Sequence, residues 1–183
     1  MYIHLVGFFI LLLTIFVFFT FLVKLLTSLI FKKTFPMKMM FAALTGLILT
    51  IAIYGYNQYF FTFNHLGGEF YKGPVDSPTK KYIANAYYMT YGGAVGGVNV
   101  WVEITYNDKK NKKKIIYYSD AKSNFSMKWT NEDTLSIINE DYEIPSSNRS
   151  IELDVEKEIY HDRGLACQSL LMKKEYETCY HGK

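Results

Sequence analysis

The first third of the chain contains no acidic residue. Residues 1–61 carry four lysines and no Asp or Glu, whereas the rest of the 183-residue sequence holds the other 16 basic and all 17 acidic side chains. The two parts therefore have formal charges of +4 and −1, which sum to the +3 of the whole chain. So sharp a change marks a domain boundary, and a part with almost no charge is typical of a membrane segment.

A strongly basic face is missing from the charged part of the chain. Nucleic-acid binding requires such a face, so residues 62–183, which are near neutrality, indicate no nucleic-acid partner. The histidines are scattered, with no nucleophile at a recognisable spacing. The glycine-rich segment 92–97 lacks the Gly-Lys-Ser/Thr that completes a phosphate-binding loop. We therefore predict a protein that is not an enzyme and that has no cofactor.

Two long apolar runs fill the N-terminal part. The run LVGFFILLLTIFVFFTFLV, residues 5–23, has no charged residue and indicates a membrane-spanning helix over residues 5–24. The run MMFAALTGLILTIAIYGY, residues 39–56, has fewer strongly apolar side chains but is also long enough to cross a bilayer. The sequence thus predicts a transmembrane hairpin over residues 1–61, with the lipid bilayer as a partner.

Positive charges lie at the bend of this hairpin. Lys32, Lys33 and Lys38, together with Lys24, are the only charges that flank the two spans on that side. Short lysine-rich loops remain in the cytoplasm, although further lysines after the second span weaken the bias. We predict a multi-pass protein of the cell membrane whose bend is inside and whose two termini are outside.

Small residues recur every four positions in the second span, at Ala42, Gly46 and Thr50. Such a stripe lets another helix approach closely. The helix that packs there is either the first span or a helix of another protein. In the second case the chain would be an accessory subunit of a larger membrane complex.

After the two spans, apolar and polar residues alternate with the period of two that is typical of β-strands. Glycine and proline in residues 62–76 indicate a linker. Alternating apolar and polar side chains then indicate strands in residues 98–106, 125–130 and 151–159, with further candidates at 81–91, 114–119 and 134–139. Short strands joined by short polar turns are typical of an antiparallel meander. The predicted fold is an α+β membrane protein, with a two-helix transmembrane hairpin, a small antiparallel β-sheet domain over residues 77–183 and a short C-terminal helix or hairpin.

Cys167 and Cys179 are the only cysteines. In a domain outside the cell an even count favours a disulfide, which requires the tail to double back so that the two Cα atoms lie within about 7 Å. The alternative is a metal site that also uses His161 and His181. Zinc sites usually contain a closer pair of cysteines, so we predict no metal.

A tyrosine-rich stretch, with Tyr82, Tyr87, Tyr88 and Tyr91, is the candidate binding surface. Exposed aromatic side chains serve recognition, whereas the alternative is that these rings pack within the sheet. The predicted function is the display of a non-catalytic β domain outside the cell. This domain would bind a protein or an envelope component, with immunity or sensing as candidate roles. The alternatives are the accessory subunit and, less favoured, an envelope hydrolase.

Four segments of the chain resemble a known family: DSPTKKYIANAYYMTYGGA, KKIIYY, MKWTNEDTLSIIN and RSIELDVEKEIYHDRG. They are similar to an uncharacterised family of small membrane-anchored proteins from Gram-positive bacteria, the domain-of-unknown-function family number fifty-four twelve. The resemblance extends over residues 76–164. It implies a location at the membrane and supplies no activity.

Overall fold

A computed structural model describes residues 2–64, 66–108 and 112–182. The chain divides into two compact parts, Met1–Tyr59 and Phe60–Lys183, which we call the hairpin unit and the β unit. The two apolar N-terminal helices and the mostly antiparallel β-sheet that the sequence predicts are both confirmed.

The hairpin unit consists of helices α1 (Tyr2–Ile30) and α2 (Met37–Tyr59). Both are long and apolar enough to cross a membrane. Helix α1 is longer than the predicted span 5–24, so Lys24 lies within the helix and not at its end. The chain reverses at Lys32, whose φ of 52° is the left-handed conformation that often ends a helix.

The β unit contains nine strands among the described residues. Their bounds are β1 Glu69–Asp76, β2 Tyr82–Tyr91, β3 Gly97–Tyr106, β4 Lys112–Asp120, β5 Asn124–Trp129, β6 Thr134–Glu140, β7 Ile151–Asp154, β8 Glu158–His161 and β9 Thr178–Tyr180. A six-stranded sheet has the order β1-β2-β3-β4-β8-β9, and a three-stranded sheet has the order β5-β6-β7. Strands β1 to β4 form the predicted antiparallel meander.

Two pairings in the larger sheet are parallel, which the meander prediction did not include. Strand β8 pairs in parallel with β4 and with β9. The reason is the order of the strands along the chain. After β4 the chain forms the three strands of the smaller sheet, and it then returns to the larger sheet as β8, which lies beside β4. A return of this kind brings the new strand in parallel to the old one.

Two strand boundaries also differ from the sequence prediction. Residues 69–76, predicted as part of a linker, form strand β1, because this segment pairs with β2 despite its glycine and proline. Residues 151–159, predicted as one strand, form β7 and β8 in different sheets. A turn separates them, in which the Asp154 carboxylate accepts hydrogen bonds from the backbone N–H groups of Glu156 (2.9 Å) and Lys157 (3.3 Å).

The core of the β unit includes side chains from facing sides of the two sheets. On the larger sheet these include Tyr82, Ala84, Val102 and Ile104, and on the smaller sheet they include Phe125, Leu135, Ile137 and Leu153. The buried side chain of Asn139 bridges this core. Its amide donates to the hydroxyl oxygen of Tyr117 (2.8 Å) and to the carbonyl of Asp120 (2.9 Å), and it accepts from the N–H of Lys122 (2.8 Å).

The C-terminal tail contains a short helix, α3 (Leu165–Gln168), as the sequence predicts. After a 3₁₀ turn the tail ends in β9 at the edge of the larger sheet. Met172 and Tyr176 are buried in this tail and belong to the core of the β unit. The tail therefore folds as part of the β unit.

Candidate functional site

The structure does not bring the four candidate tyrosines to one surface. Side chains alternate along β2, so Tyr82 and Tyr88 lie on one face of the strand and Tyr87 and Tyr91 on the other. Tyr82 is fully buried, and its hydroxyl donates to the carboxylate of Glu156 at 2.8 Å. Burial raises the pKa of Tyr82 above the usual range of a tyrosine. Tyr82 therefore follows the alternative prediction, in which the tyrosine rings pack within the sheet and are not exposed for binding.

Tyr91 is also engaged within the β unit. Its hydroxyl donates to the Asp120 carboxylate at 3.0 Å, and the guanidinium of Arg163 lies 5.8 Å from its ring centroid. Burial raises the pKa of Tyr91, and the hydrogen bond to Asp120 adds to this effect. Neither Tyr82 nor Tyr91 therefore presents a free aromatic surface.

Tyr87 and Tyr88 meet two exposed aromatic side chains of the neighbouring strand. Phe70 and Tyr71, on β1, are 54% and 39% exposed. The ring centroids of Phe70 and Tyr87 are 6.0 Å apart on one face of the sheet, and those of Tyr71 and Tyr88 are 5.9 Å apart on the other. We call these four residues the aromatic edge. Sequence reasoning missed its two exposed members because residues 69–76 were assigned to a linker.

A cavity lies beside one side of the aromatic edge. It has a volume of about 450 Å³ and is lined by Tyr71, Tyr88, Gly97, Val98, Ala121 and Lys122. The hydroxyl of Tyr88 donates to the Glu69 carboxylate at 2.5 Å, which fixes the ring at the margin of this cavity. Aromatic side chains next to a few polar groups are typical of recognition surfaces.

A row of aromatic rings crosses the larger sheet from the aromatic edge to β8. Paired positions on five neighbouring strands place Phe70, Tyr87, Trp101, Tyr118 and His161 side by side. Successive ring centroids are separated by 6.0, 6.0, 6.5 and 4.9 Å. Contacts between aromatic pairs across strands stabilise a sheet, so most of this row has a structural role.

His161 closes the row and is 1% exposed. Phe61 and Phe63 cover its ring at centroid distances of 5.2 and 6.0 Å, and Tyr118 lies on another side. Among the residues that the structure describes, neither ring nitrogen has a hydrogen-bond partner outside the residue's own backbone. Burial lowers the pKa of His161 to about 4, because the cage of rings disfavours the charged imidazolium. The segment that follows α2 is thus held to the sheet by a neutral histidine.

Lysines from β4 line a groove on the other side of this segment. The groove has a volume of about 310 Å³, with Lys112, Lys113 and Lys114 on one wall and residues 62–64 on another. Lys113 forms an ion pair with Glu103 at 2.8 Å. The ammonium of Lys114 donates to the Glu156 carbonyl and lies 4.0 Å from the ring centroid of Tyr176. Burial lowers the pKa of Lys114 to about 8.

Cys167 and Cys179 form a disulfide, with an S–S distance of 2.02 Å and a Cα–Cα distance of 5.3 Å. The predicted pairing is confirmed, and the tail doubles back as the pairing requires. The two thiols of the alternative metal site with His161 and His181 are joined to each other in this disulfide. Within residues 2–64, 66–108 and 112–182, no group of three His, Cys, Asp or Glu side chains could hold a metal ion.

In the hairpin unit the small-residue stripe packs partly on α1. A Cβ atom at Gly46 would overlap the side chain of Thr14, and Thr50 is buried, whereas Ala42 is exposed. The close approach that the stripe permits is therefore used at Gly46 by the first helix. Lys32 and Lys33 lie in the connection between the helices, and Lys38 lies in the first turn of α2.

A model of a family of unknown function, DUF5412, matches residues 37–163. The match covers more than half of the chain and spans α2 and strands β1 to β8. Helix α1 and the disulfide lie outside it. Neither the curated proteins nor the solved structures include a significant match to the chain. The protein belongs to the DUF5412 family, whose function is unknown.

Proposed function

We propose that this protein anchors a small binding domain at the outer face of a cell membrane. The hairpin unit is the anchor, its lysine-bearing bend lies in the cytoplasm, and the β unit and both termini lie outside. The observation that carries the proposal is the Cys167–Cys179 disulfide in the β unit. Disulfides persist in oxidising compartments and are rare in the cytosol. Lys32, Lys33 and Lys38 at the bend support the same sidedness independently.

The proposed role of the β unit is to bind a protein or an envelope component, without catalysis. The aromatic edge is the surface that supports this role best, because Phe70 and Tyr71 expose large rings on both faces of an edge strand. Aromatic anchors of this kind contribute a large share of binding energy at protein interfaces. Immunity towards an exported toxin and sensing of the envelope are both compatible with such a surface.

Protease treatment tests the sidedness of the β unit. Protease added to intact cells should degrade the β unit, and the same protease added to inverted membrane vesicles should leave it intact. Degradation in inverted vesicles together with protection in cells would overturn the proposal. A cytoplasmic protein serves as the control for cell integrity.

Photocrosslinking tests the binding surface separately. A photoreactive phenylalanine analogue at Phe70 should give a discrete adduct in intact cells, and the Tyr71→Ser substitution should reduce its yield. The matched control is the same analogue at Tyr142, which is 75% exposed on the connection between β6 and β7. Equal adducts from both positions, or none from position 70, would remove the aromatic edge from the proposal.

An accessory role in a larger membrane complex is the second candidate. The observation that favours it is an apolar crevice of about 420 Å³ within the hairpin unit, lined by residues that include Leu11, Phe18, Met40 and Leu47. A helix of another protein could pack there by shape alone. Co-purification of a second integral protein in mild detergent, lost on Leu47→Trp substitution, would favour this role.

A further inference from the structure

The disulfide closes a loop, residues 167–179, that exposes both apolar and basic side chains. Leu170 and Leu171 are 51% and 48% exposed, and Lys173 and Lys174 follow them on the surface. Neither lysine forms an ion pair with a residue that the structure describes. The two adjacent leucines form a small apolar patch bordered by lysines, and apolar patches with a polar rim are typical of interaction sites.

The loop is anchored to the β unit, and these four side chains are exposed. Met172 is buried between the leucines and the lysines, and Tyr176 is buried in the same core cluster. The hydroxyl of Tyr176 donates to the carbonyl of Ile115 at 2.5 Å. The disulfide fixes the two ends of the loop. The exposure of Leu170 and Leu171 is thus a property of a fixed loop.

The same loop is attached to the segment that follows α2. The buried hydroxyl of Ser169 donates to the carbonyl of Phe61 at 2.7 Å. Phe61 follows Tyr59, the last residue of α2, by two positions, and two residues of extended chain reach at most about 7 Å. Leu170 directly follows Ser169, so the exposed leucines are tied through this hydrogen bond to the residues that follow α2 in the chain.

We propose that the disulfide loop is a membrane-contact loop. Leu170 and Leu171 enter the interfacial region of the bilayer, and Lys173 and Lys174 bind the phosphate groups of anionic lipids. Apolar side chains combined with lysines are the features that hold peripheral segments at such an interface. Glu175 and Glu177 are the acidic residues of the loop. Glu175 lines a recess together with Glu156 and with Lys112, Lys114 and Lys174.

This proposal goes beyond the binding role of the β unit and does not depend on which side of the membrane the unit occupies. Hydrogen exchange of the full chain in lipid nanodiscs tests it. Nanodiscs of equal parts phosphatidylglycerol and phosphatidylcholine are compared with nanodiscs of phosphatidylcholine alone. Amides of residues 168–176 should exchange up to about thirty-fold more slowly in the anionic lipid, since each lysine near an anionic surface contributes about 1 kcal/mol.

The variants separate this role from a merely structural one. The Lys173→Gln/Lys174→Gln pair should abolish the difference between the two lipids, and Leu170→Ser/Leu171→Ser should speed exchange in both. The matched control is Lys80→Gln/Lys128→Gln, which removes two exposed lysines from other parts of the β unit. Unchanged exchange in β2 and β3 shows that each variant is folded.

Two outcomes would overturn the proposal. One is equal exchange of residues 168–176 in both lipids. The other is equal protection when inorganic phosphate is added to the phosphatidylcholine nanodiscs, because the loop would then bind free phosphate and not the bilayer surface.

Discussion

The rings of Tyr118 and His161 lie 4.9 Å apart between centroids and are inclined by 27°. The two residues are paired positions of the parallel strands β4 and β8, which are separated in sequence by the whole three-stranded sheet. Phe61 and Phe63, which follow α2, cover the same histidine. One buried imidazole therefore joins three distant parts of the β unit, and its charge state should affect the stability of the unit.

Acidification should destabilise the β unit through His161. Its pKa is about 4 in the folded state and about 6.5 when unfolded, so the unfolded state binds a proton first. The resulting stability is fully present above pH 6.5 and is lost as the pH falls towards 4, by about 3 kcal/mol at most. Asp162 and Arg163 are the nearby charges that act on the imidazole, in opposite directions.

Urea unfolding measures this loss, because both tryptophans, Trp101 and Trp129, lie in the β unit and their fluorescence reports its unfolding. The full chain in mild detergent is compared with His161→Phe at pH 7 and pH 4. Carboxylates contribute equally to both proteins, so the difference isolates the histidine. The same loss of stability in both proteins would contradict the assignment.

Replacing Asn139 by Leu should cost about 2–4 kcal/mol of unfolding free energy. The substitution leaves the carbonyl of Asp120 and the N–H of Lys122 without the partners that Asn139 gives them, and each buried unpaired group costs about 1–3 kcal/mol. The matched control is Asn124→Ala, which removes a hydrogen bond to the exposed Tyr142 hydroxyl and should cost less than about 1 kcal/mol. Similar costs for both variants in urea unfolding would show that Asn139 has no special role.

Adding one methyl group at Gly46 should weaken the contact between α1 and α2. A Cβ atom there would overlap Thr14, and overpacking of this kind costs about 1–3 kcal/mol. A Gly7→Cys/Ile53→Cys pair reports the contact by its oxidative crosslinking yield, since a Cβ at Gly7 would lie 3.2 Å from the Ile53 side chain.

Gly55→Ala is the matched control, because a Cβ at Gly55 would meet no atom of the described part of the chain within 4 Å. The crosslinking yield should fall in Gly46→Ala, remain unchanged in Gly55→Ala and recover when Thr14→Ala is added to Gly46→Ala. An unchanged yield in Gly46→Ala would mean that the stripe does not pack on the first helix.

Periodicity predicted much of this fold. The alternation in residues 98–106 corresponds to β3, because it reflects burial of one face of a strand. The apolar runs correspond to α1 and α2, since uninterrupted apolar runs of this length are typical of long apolar helices. It missed β1, whose Gly73 and Pro74 are typical of a linker. It also joined β7 to β8, since the turn at Asp154 does not interrupt the alternation of apolar residues.

Less of the candidate site than of the fold could be predicted from the sequence. The two cysteines were enough to predict their pairing, because only one pairing exists. The four tyrosines lie in a strand, as the sequence predicts. The alternation of side chains along that strand divides them between its two faces, so they do not form the single binding surface that the sequence analysis predicts. Phe61, Phe63 and His161 are brought together by tertiary packing of segments that are distant in sequence, and no local pattern indicates that contact.

Thiol labelling in intact cells is the most direct test of the proposed location of the β unit. Intact cells are treated with a membrane-impermeant thiol reagent before and after mild reduction, with Cys167→Ser/Cys179→Ser as the control without thiols. If the β unit lies outside the cell as we propose, labelling should occur only after treatment with an impermeant reductant, because the two thiols are paired. Labelling that requires permeabilised cells, or that needs no reduction, would contradict this proposal.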